Sequence, residues 1–440
     1  MREMKDSGVE WVGQIPKDWE KTKIKTVCSF VGSGTTPASN IIEYYDNGTI
    51  DWIQSGDIYG KNNIDEVKTK ITTLALNSNT SLRIYKAPYI VMAMYGGSVG
   101  NTAISHIDAC TNQACCCIKT NENANLSYMY YWLLLCKEDF LIRAEGGGQP
   151  NISQDKIKNQ YFFVSNYAEQ KKIADFLDKK CSEIDTLTSD IQKQIDILEQ
   201  YKKSVIMESV TKGLNPDAEM KDSGVEWIGQ IPVSWGNSKI KYLFNSGKGL
   251  SITKENLIES GLAVISYGQI HSKTNTGTDI KDDLIRYVKE EYQYYYPNCR
   301  VYKNDFIFAD TSEDYDGCGN CVYKRDDTTL FAGYHSIILH SRVDRDNRYL
   351  AYLFKTDCWR KQIRETASGV KLFSVTQKKL INSSVILPPN EEQKKIADFL
   401  DKKCSEIDTI ISDKKKQLEV ITEYKKSLIY EYVTGKKEVM

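Results

Sequence analysis

Two long stretches of the chain carry apolar residues at intervals of seven. The first series is Leu177, Ile184, Ile191, Leu198 and Val205, and the second is Leu400, Ile407, Ile421 and Leu428. A repeat of seven over several turns predicts α-helices that pack along a coiled-coil seam. Lys414 interrupts the second series once. A neighbouring line is predicted to join the seam through Ile173, Leu187, Tyr201, Ile396, Ile410 and Tyr424.

Start and stop signals bound the two predicted helices. Asn166 and Asn390 are suited to capping the first turns, and Gly213 and Gly435 to ending the last ones. Each helix then has a length of roughly 65–70 Å at 1.5 Å per residue. An amphipathic helix of that length needs a partner. Because both carry matching seams, we expect them to pair antiparallel rather than to fold back singly on their own domains.

The segments before each helix show a different pattern. They contain short β-branched or aromatic runs bounded by Gly, Asn, Asp or Ser, which predict strands. The predicted strands are Ile50–Ile58, Tyr89–Met94, Ala114–Ile118, Tyr161–Val164, Ala263–Tyr267, Asp305–Phe308 and Ser336–Leu339. Asn125–Cys136 and Asn347–Cys358 are predicted helices. The expected fold class is α+β, with small irregular sheets and long polar loops.

The chain is one unit written twice. Residues 169–186 and 392–409 share the same eighteen letters, EQKKIADFLDKKCSEIDT, and residues 3–16 differ from 219–232 at one position. Such a long period predicts two similar structural units. We divide the chain into a first domain (1–166), a first helix (167–213), a second domain (214–389) and a second helix (390–440). Residues 17–168 and 233–391 share little, which predicts that the two copies do the same job where they agree and different jobs where they differ.

Composition limits the function classes. The net charge of the 440 residues is −1, which is not the bulk signature of a nucleic-acid binder. A DNA ligand would therefore require basic groups on one face, or a partner that supplies phosphate contacts. Twelve cysteines without small-domain spacing predict reduced thiols and a cytoplasmic location. The longest apolar run, Met129–Cys136, is too short to span a bilayer, and the charged first residues predict no signal peptide.

No catalytic residue is predicted. The four histidines show no HExxH spacing, and the sequence has no GxxxxGK[ST] phosphate loop, no GxSxG turn and no Asn/Asp-Pro-Pro-aromatic motif of adenine methyltransferases. The lone CxxC, Cys318 to Cys321, lacks the two further ligands of a zinc site, so a turn is favoured and no metal is expected.

The duplicated motifs resemble those of the specificity subunit of type I restriction-modification systems, over essentially the whole chain. The strongest are Leu387–Leu400 (LPPNEEQKKIADFL) and Ala168–Leu177 (AEQKKIADFL). Weaker ones are Glu10–Pro16 with Trp19, Asp51–Asp57, Gly97–Ala103, Thr111–Ala114 and Gly148–Ser153. The first copy departs from the pattern at Val164–Tyr167, where a double proline is usual. The second has Ser368–Phe373 in place of Gly-Gln-Pro-Asn-Ile-Ser.

The resemblance implies a non-catalytic subunit of an adenine-N6 DNA methyltransferase and ATP-dependent endonuclease complex. Its implied partners are double-stranded DNA, two modification subunits and motor-nuclease restriction subunits. S-adenosylmethionine, ATP and Mg would be bound by those subunits, and no cofactor by this chain. Two target-recognition domains, each with a small irregular β-sheet, would be joined by two long antiparallel coiled-coil helices with pseudo-two-fold symmetry. Each domain would read half of an asymmetric target, and the helices would set the spacer.

Polar loop residues are the candidates for DNA contact, because base edges and phosphates are bound by donors, acceptors and aromatic rings. In the first domain they are Gln54, Ser55, Asp57, Tyr59, Lys61, Asn62, Tyr95, Ser98, Asn101 and Gln149. In the second they are Tyr267, Gln269, His271, Lys273, Thr311, Ser312, Asp314, Tyr315, Lys324, Arg325 and Lys371. For each position the competing interpretation is an ordinary solvated loop residue. For the aromatic run Tyr292–Tyr296, a packed edge is favoured over stacking on DNA.

Two other features have roles other than base reading. The matched tryptophans Trp11, Trp19, Trp227 and Trp235 predict an equivalent structural or docking role, and the identical helix entries, with Lys171, Lys172, Lys394 and Lys395, predict docking of the two modification subunits. Recent duplication is the competing explanation of that identity. Two other function classes stay open at this point: the recognition subunit of a different methyltransferase system, and a coiled-coil interaction protein that does not touch DNA.

Overall fold

The computed structural model describes residues 2–343, 345–369 and 371–439, and these form two compact units. Unit 1 comprises residues 1–192 and 415–440, and unit 2 comprises residues 193–414. Each unit contains small β-sheets, several short helices and one half of each long helix. The predicted α+β class is confirmed. The unit boundaries lie inside the long helices rather than at their ends.

Unit 1 begins with twelve strands and four short helices. The strands are β1 (Met4–Asp6), β2 (Gln14–Pro16), β3 (Glu20–Lys23), β4 (Cys28–Ser33), β5 (Ile50–Ile53), β6 (Asn63–Ile64), β7 (Lys70–Ile71), β8 (Tyr89–Ala93), β9 (Thr102–Ser105), β10 (Ala109–Thr111), β11 (Cys115–Thr120) and β12 (Tyr161–Val164). The helices are α1 (Thr73–Ser78), α2 (Leu126–Leu135), α3 (Lys137–Ile142) and α4 (Gln154–Lys158), followed by the long helix α5 (Tyr167–Lys212).

The main sheet of unit 1 has the order β4-β11-β8-β9-β6, and β10-β5-β7 forms a second sheet. Strands β8 and β11 are almost wholly buried, which explains why they read as continuous apolar runs. Helix α2 covers the main sheet through Tyr128 and Trp132, both fully buried. The Trp132 indole donates a hydrogen bond to the carbonyl of Tyr161 at 2.8 Å, so this buried ring has a partner for its N–H.

Unit 2 has the same plan as unit 1, with loops between its strands and helices. Its strands are β13 (Met220–Asp222), β14 (Gln230–Pro232), β15 (Gly236–Lys239), β16 (Phe244–Lys248), β17 (Leu262–Ile265), β18 (Arg286–Val288), β19 (Arg300–Val301), β20 (Phe306–Ala309), β21 (Thr311–Ser312), β22 (Cys321–Tyr323), β23 (Leu330–Ala332), β24 (Ser336–Ser341), β25 (Phe373–Ser374) and β26 (Ser384–Leu387). Its helices are α6 (Ile240–Leu243), α7 (Tyr267–Ile270), α8 (Tyr292–Tyr295), α9 (Arg348–Lys355), α10 (Asp357–Thr366), α11 (Gln377–Ile381) and the long helix α12 (Asn390–Val433).

Two four-stranded sheets organise unit 2, in the orders β16-β24-β20-β22 and β18-β17-β23-β19. In the second sheet, β17 runs parallel to β23, as β5 runs parallel to β10 in unit 1. Trp235, Tyr349 and Trp359 are fully buried in the core beneath α9 and α10. The same strand-and-helix scaffold therefore recurs although residues 17–168 and 233–391 share little sequence.

Both long helices contribute to each unit, and they are antiparallel in both. In unit 1, Phe176 packs on Tyr432 with ring centroids 4.5 Å apart, and Lys425 binds Asp185 at 2.6 Å. In unit 2, Lys414 donates to Gln194 and Lys202 binds Asp408 at 2.5 Å. As the residue number rises along α5, its partner's number falls along α12. The predicted antiparallel pairing is confirmed within each unit.

The predicted seam follows the buried face of these helices only in part. Leu177, Ile184, Ile191, Leu400, Ile407 and Leu428 are buried, whereas Leu198, Val205 and Ile421 are half-buried. On the neighbouring line, Ile173 and Ile396 are buried, but Leu187, Tyr201, Ile410 and Tyr424 are exposed, contrary to expectation. Buried positions missed by the pattern include Ile195, Ile206, Val210, Ile411, Ile429 and Val433. An α-helix of 3.6 residues per turn drifts about 20° per heptad, so residues four positions on take over the contact.

The predicted helix ends are confirmed at Asn166, Gly213 and Gly435 but not at Asn390. Helix α12 begins at Asn390 itself, and the Pro389 carbonyl accepts from the Glu392 and Gln393 amides at 2.9 and 3.0 Å, so the predicted cap lies one residue too late. The Asn166 side chain accepts a hydrogen bond from the Glu169 amide at 2.9 Å. Gly213 and Gly435 adopt φ values of 80° and 71°, a left-handed conformation that favours glycine. At Gly435 a Cβ atom would lie 2.4 Å from the Pro16 side chain, so close packing also requires glycine there.

Four local predictions need correction. The strands predicted at Ile50–Ile58 and Ala263–Tyr267 end at Ile53 and Ile265, because each is followed by a capped helical turn. The helix predicted at Asn347–Cys358 breaks between α9 and α10, where Thr356 caps the second helix. In the run Tyr292–Tyr296, Tyr294 and Tyr295 are exposed rather than packed. Among the described helices, none is long and apolar enough to cross a membrane.

Candidate nucleic-acid interface

In unit 1, the candidate residues begin at the turn that follows β5. The Gln54 amide donates to the Asp57 carboxylate at 2.8 Å, and the Gln54 side chain donates to Thr69 at 3.1 Å. This capping box closes a short 3₁₀ turn over residues 55–58. Asp57 and Gln54 therefore hold the turn, which presents Tyr59 to solvent with 75% of its surface exposed.

Other candidate loops of unit 1 meet this turn. The Asn112 amide donates to the Ile53 carbonyl at 3.0 Å, and the Met94 amide donates to the Ala114 carbonyl at 2.8 Å. The Gly96 amide then donates to the Pro150 carbonyl at 2.7 Å. Backbone hydrogen bonds thus connect the turn after β5 with the loops that carry Tyr95, Ser98 and Gln149. These residues are distant in sequence but lie on one connected surface.

The unit 1 candidates divide into exposed and internally bonded side chains. Tyr59, Lys61, Tyr95 and Gln149 are exposed, and Ser55 is partly exposed. Asn62 is exposed as well, but its side chain donates to Asp185 of α5 at 3.0 Å. Lys137 donates to Asn101 at 2.7 Å, and the Ser98 hydroxyl donates to the Tyr95 carbonyl at 2.8 Å. The exposed group is free to contact a ligand, whereas the bonded group shapes the loops.

In unit 2 the equivalent turn is α7, which follows β17. The Ser266 amide donates to the Gln269 side chain at 3.1 Å, so the same kind of capping box recurs. His271 lies next to the turn. Its Nε2 donates to the Thr311 carbonyl at 2.8 Å, and its Nδ1 accepts from the Asn320 side chain at 3.0 Å. Both ring nitrogens of His271 therefore have a hydrogen-bond partner within unit 2.

A second histidine joins this cluster. His335 has a φ of 53°, which is rare for a residue with a side chain, and its ring lies 5.4 Å from that of Tyr267. Its Nδ1 is 3.2 Å from the carboxylate of Asp310, which also accepts from the Thr311 hydroxyl at 2.7 Å. An aromatic and imidazole surface results, and it differs in chemistry from the equivalent surface of unit 1.

The loop after β21 extends the unit 2 surface. Strand β21 pairs with β25, so Ser312 lies opposite Phe373. The Tyr315 ring packs on Phe373 with centroids 5.6 Å apart. Lys273, Asp314 and Lys371 are exposed, while Thr311 and Ser312 are buried. Within the departing segment Ser368–Phe373, Val370 lies outside the described residues.

Lys324 and Arg325 bind groups of the protein itself. Lys324 is only 3% exposed and donates to Thr328 at 2.7 Å and to Asp326. Arg325 forms two hydrogen bonds to Asp401 of α12, at 2.7 and 3.2 Å. We therefore do not include Lys324 and Arg325 among the residues proposed to contact DNA.

Asp401 holds the second domain to its long helix. It also accepts from Tyr352 at 2.8 Å and from Arg348 at 2.7 Å. Burial acts to raise the pKa of Asp401, but the hydrogen bonds from Arg325, Tyr352 and Arg348 outweigh it and lower the pKa below its ordinary value. The equivalent residue of the first copy, Asp178, accepts from Tyr131 at 2.8 Å. In both units, therefore, an equivalent carboxylate of the duplicated segment accepts a hydrogen bond from a tyrosine hydroxyl.

Sequence reasoning missed several residues of these surfaces. Asp310, Asn320 and His335 have no recognisable motif, and only the fold brings them to His271 and Thr311. In unit 1, Thr36 donates to Gln113 at 2.6 Å beside the turn after β5. Gln113 lies in the motif Thr111–Ala114, which resembles the family pattern but does not by itself indicate a role for Gln113. No cluster able to hold a metal occurs among the described residues, and Cys318 and Cys321 are buried in the unit 2 core.

Comparison with known proteins identifies the class of protein. Residues 16–197 and 232–420 match the family described as type I restriction modification DNA specificity domain. The type I restriction enzyme MjaVIII specificity subunit of Methanocaldococcus jannaschii is 25% identical over 446 residues, covering 97% of this chain and 94% of that protein. The type I restriction enzyme EcoR124I/EcoR124II specificity subunit of Escherichia coli is 28% identical over 205 residues, which cover 45% of this chain and 47% of that protein.

Solved structures share the fold. One chain, from a structure described as the basis of complex assembly and conformational transition of the type I R-M system, gives a TM-score of 0.70 at 14% identity, covering 95% of this chain and 98% of that one. The HsdS subunit from Thermoanaerobacter tengcongensis gives a TM-score of 0.51 at 15% identity, covering 96% and 98%.

The family matches span most of the chain, so the chain belongs to the type I restriction-modification DNA specificity family. It is a specificity subunit with two target-recognition domains, a non-catalytic component of a restriction-modification complex that acts on DNA. This membership decides against a coiled-coil protein that never touches DNA, and against a subunit of a different methyltransferase system.

Proposed function

We propose that each unit reads one half of an asymmetric, bipartite DNA target. The observation that carries this proposal is the contrast between scaffold and surface. Both units place a capped turn after a strand that has a parallel neighbour, yet Tyr59 and Lys61 follow the turn in unit 1 whereas His271 and Lys273 follow it in unit 2. The same backbone thus presents different donors, acceptors and rings to a groove, and base edges are distinguished by such groups.

The long helices set the separation between the two half-sites in this proposal. Helix α5 contains 46 residues and α12 contains 44. An aromatic contact and an ion pair in unit 1, and an ion pair in unit 2, fix one antiparallel register in each unit, so the pair resists sliding. A fixed number of helical residues then corresponds to a fixed spacer length.

The helices also dock two modification subunits in equivalent ways. Unit 1 exposes Leu187, Val420 and Tyr424 on its helix pair, and unit 2 exposes their duplicated counterparts Ile410, Ile197 and Tyr201. Large apolar side chains repeated at equivalent exposed positions support binding of two copies of one partner. Lys171, Lys172, Lys394 and Lys395 extend the docking surface at the helix entries.

The partner subunits supply the chemistry. Adenine-N6 methylation with S-adenosylmethionine belongs to the modification subunits, and ATP- and Mg-dependent translocation and cleavage belong to the motor-nuclease subunits. This chain holds no cofactor in the proposal and works in the cytoplasm. The division into residues 1–166, 167–213, 214–389 and 390–440 describes its recognition and spacer segments.

Mapping of methylated adenines tests the proposal. The chain is expressed with its modification subunit in a host that lacks other adenine methylation, and methylated positions are mapped genome-wide. One motif with two unlike halves and a constant gap is expected. A variant with Tyr59, Lys61 and Gln149 replaced by alanine should alter one half alone. A palindromic motif, or simultaneous change of both halves, would contradict the assignment.

A further inference from the structure

Unit 2 contains a polar cavity of about 660 Å³ that the proposed base-reading surface does not use. It lies between α5, α10 and the loop after α7. Its lining includes Lys203, Ser272, Thr276, Asn320, Lys355 and Arg360. A cavity of this size is typical of ligand sites in proteins.

The lining carries an excess of positive charge. Four cations, Lys203, Lys355, Arg360 and Arg364, face two carboxylates, Asp316 and Asp357. Both carboxylates lie against Arg364, with Asp357 at 2.9 Å and Asp316 at 4.0 Å. Within the part of the chain that the structure describes, Lys203, Lys355 and Arg360 have no ion-pair partner.

Two of these unpaired cations, Lys355 and Arg360, are half-buried. The Arg360 Nε donates to the Phe354 carbonyl at 3.1 Å, and its two terminal amino groups have no further acceptor among the described residues. Burial, followed by the charge of Lys202, lowers the pKa of Lys355 to about 8. The charge of Asp408 raises the pKa of Lys355, but Asp408 already forms an ion pair with Lys202 at 2.5 Å. A half-buried cation without a counter-ion is partly desolvated, and an anion that enters the cavity would supply the missing counter-charge.

Two buried donor atoms of the same lining, one hydroxyl and one guanidinium nitrogen, are also unsatisfied. The Thr276 hydroxyl and the Arg364 Nε are fully buried and have no hydrogen-bond partner among the described residues. Buried polar atoms are nearly always bonded, so orphaned donors beside unpaired cations indicate an acceptor that the chain itself does not supply.

We infer that this cavity binds a phosphate group. A phosphate offers several acceptor oxygens and no donor, which matches a lining of ammonium, guanidinium and hydroxyl donors. The cavity exceeds the size of a single phosphate, so the group belongs to a larger molecule. That molecule is either DNA, through its backbone, or a free phosphorylated ligand.

The position of the cavity favours the DNA backbone. Ser272 directly follows His271, and Asn320 lies in the cavity wall while its side chain donates to His271 at 3.0 Å. A strand whose bases meet the surface of Tyr267 and His271 would pass close to the cavity. This DNA assignment rests on the proposed function, whereas binding of phosphate as such does not.

Thermal unfolding of the complex with the modification subunits tests phosphate binding. Inorganic phosphate at about ten times its Kd should raise the Tm of the wild type by roughly 3 °C. Lys355→Met should lose this shift and should be at least as stable as the wild type without phosphate, because it removes a half-buried charge that has no ion-pair partner among the described residues. Lys254→Met, at an exposed lysine outside the cavity, is the control and should keep the shift. Equal shifts in all three proteins would overturn the inference.

DNA binding distinguishes the two sources of phosphate. If a backbone phosphate enters the cavity, Lys355→Met should weaken binding to target and non-target DNA equally and reduce the slope of log K against log salt by about 0.9. An unchanged slope, together with the lost phosphate shift, would assign the cavity to a free phosphorylated ligand. Failure of the wild-type complex to prefer any target would refute the proposed function and leave the phosphate shift as a separate result.

Discussion

At the scale of single residues, polar side chains in the recognition loops have two distinct duties. Asp57 and Gln269 close the capped turns, and Lys324 and Arg325 bind carboxylates of the chain itself. Tyr59 and Lys61 are exposed beyond such a turn. Residue type alone does not distinguish these roles, because a lysine can be buried, as Lys324 is, or exposed, as Lys61 is. Burial and hydrogen-bond partners do separate them.

Tyr59→Ala is expected to impair DNA recognition without loss of stability. The side chain is mostly exposed, so the free energy of unfolding should change by less than about 0.5 kcal/mol. If Tyr59 contacts a base, discrimination at one target position should fall by about 1–3 kcal/mol. Competition binding with single-base variants of the target measures this. Tyr294→Ala, at an equally exposed tyrosine outside the predicted interface, should leave every position unchanged.

The anion cavity should bind sulfate in a pH-dependent way through Lys355. Sulfate keeps its charge across the range, whereas Lys355, with a pKa of about 8, loses its proton as the pH rises. Affinity should fall about tenfold between pH 7 and pH 9, because only the ammonium form attracts the anion. The groups that act on Lys355 are Lys202, Cys404, Asp408 and Arg360, and burial raises the pKa of the Cys404 thiol. Calorimetric titration should show a flat profile for Lys355→Met; the same slope in both proteins would exclude Lys355 as the titrating group.

At the scale of elements, the identical eighteen-residue segments show how one sequence adapts to two surroundings. Asp178 and Asp401 both receive a tyrosine hydroxyl, but only Asp401 also binds two arginines. Trp19 donates to Glu169 at 3.2 Å, whereas the indole nitrogen of the matched Trp235 has no partner among the described residues. Identical residues on the two helices thus contact different residues in the two domains.

Asp401→Asn should destabilise the protein more than Asp178→Asn. The first change removes the carboxylate that binds Arg325, whereas Arg348 keeps its ion pairs with Asp346 and Asp398, so the loss should be about 2 kcal/mol. The second weakens one neutral hydrogen bond and should cost about 1 kcal/mol or less. Urea unfolding measures both, and equal losses would show that the arginines contribute little.

The Asp401 contribution should also depend on pH. Because its folded-state pKa is lowered, the stabilisation is present above the unfolded value near 4 and is lost as the pH falls through the folded value. The difference in stability between the wild type and Asp401→Asn should therefore shrink in acid.

At the scale of the whole molecule, the register of the long helices has a functional consequence. Contacts such as Lys425 with Asp185 in unit 1 and Lys202 with Asp408 in unit 2 lie on either side of the boundaries at 192/193 and 414/415. Seven residues inserted at both boundaries keep every such pair within its unit. Seven residues inserted at one boundary displace one helix against the other.

The double insertion should lengthen the spacer of the DNA target and leave the half-sites unchanged. Seven helical residues add about 10.5 Å, which corresponds to roughly three base pairs. Mapping of methylated sites measures the gap. The single insertion is the control and should lower stability without giving a new, defined spacer. Altered half-sites in the double insertion would refute the proposed role of the helices.

The sequence by itself determined the duplication, through the identity of residues 169–186 and 392–409, and it determined the α+β class and the long helices, through local periodicity. The antiparallel direction of the helix pair was expected from matching seams, and contacts such as that of Lys425 with Asp185 decided it. Only the tertiary structure decided which residues share a surface. His271, His335 and Asn320 are far apart in the chain, and the orphaned donors around Lys355 come from separate elements. The physical reason is that a heptad repeat depends only on residues within a few turns of the same helix. A recognition surface or a charged cavity depends instead on contacts between segments whose spacing along the chain carries no period.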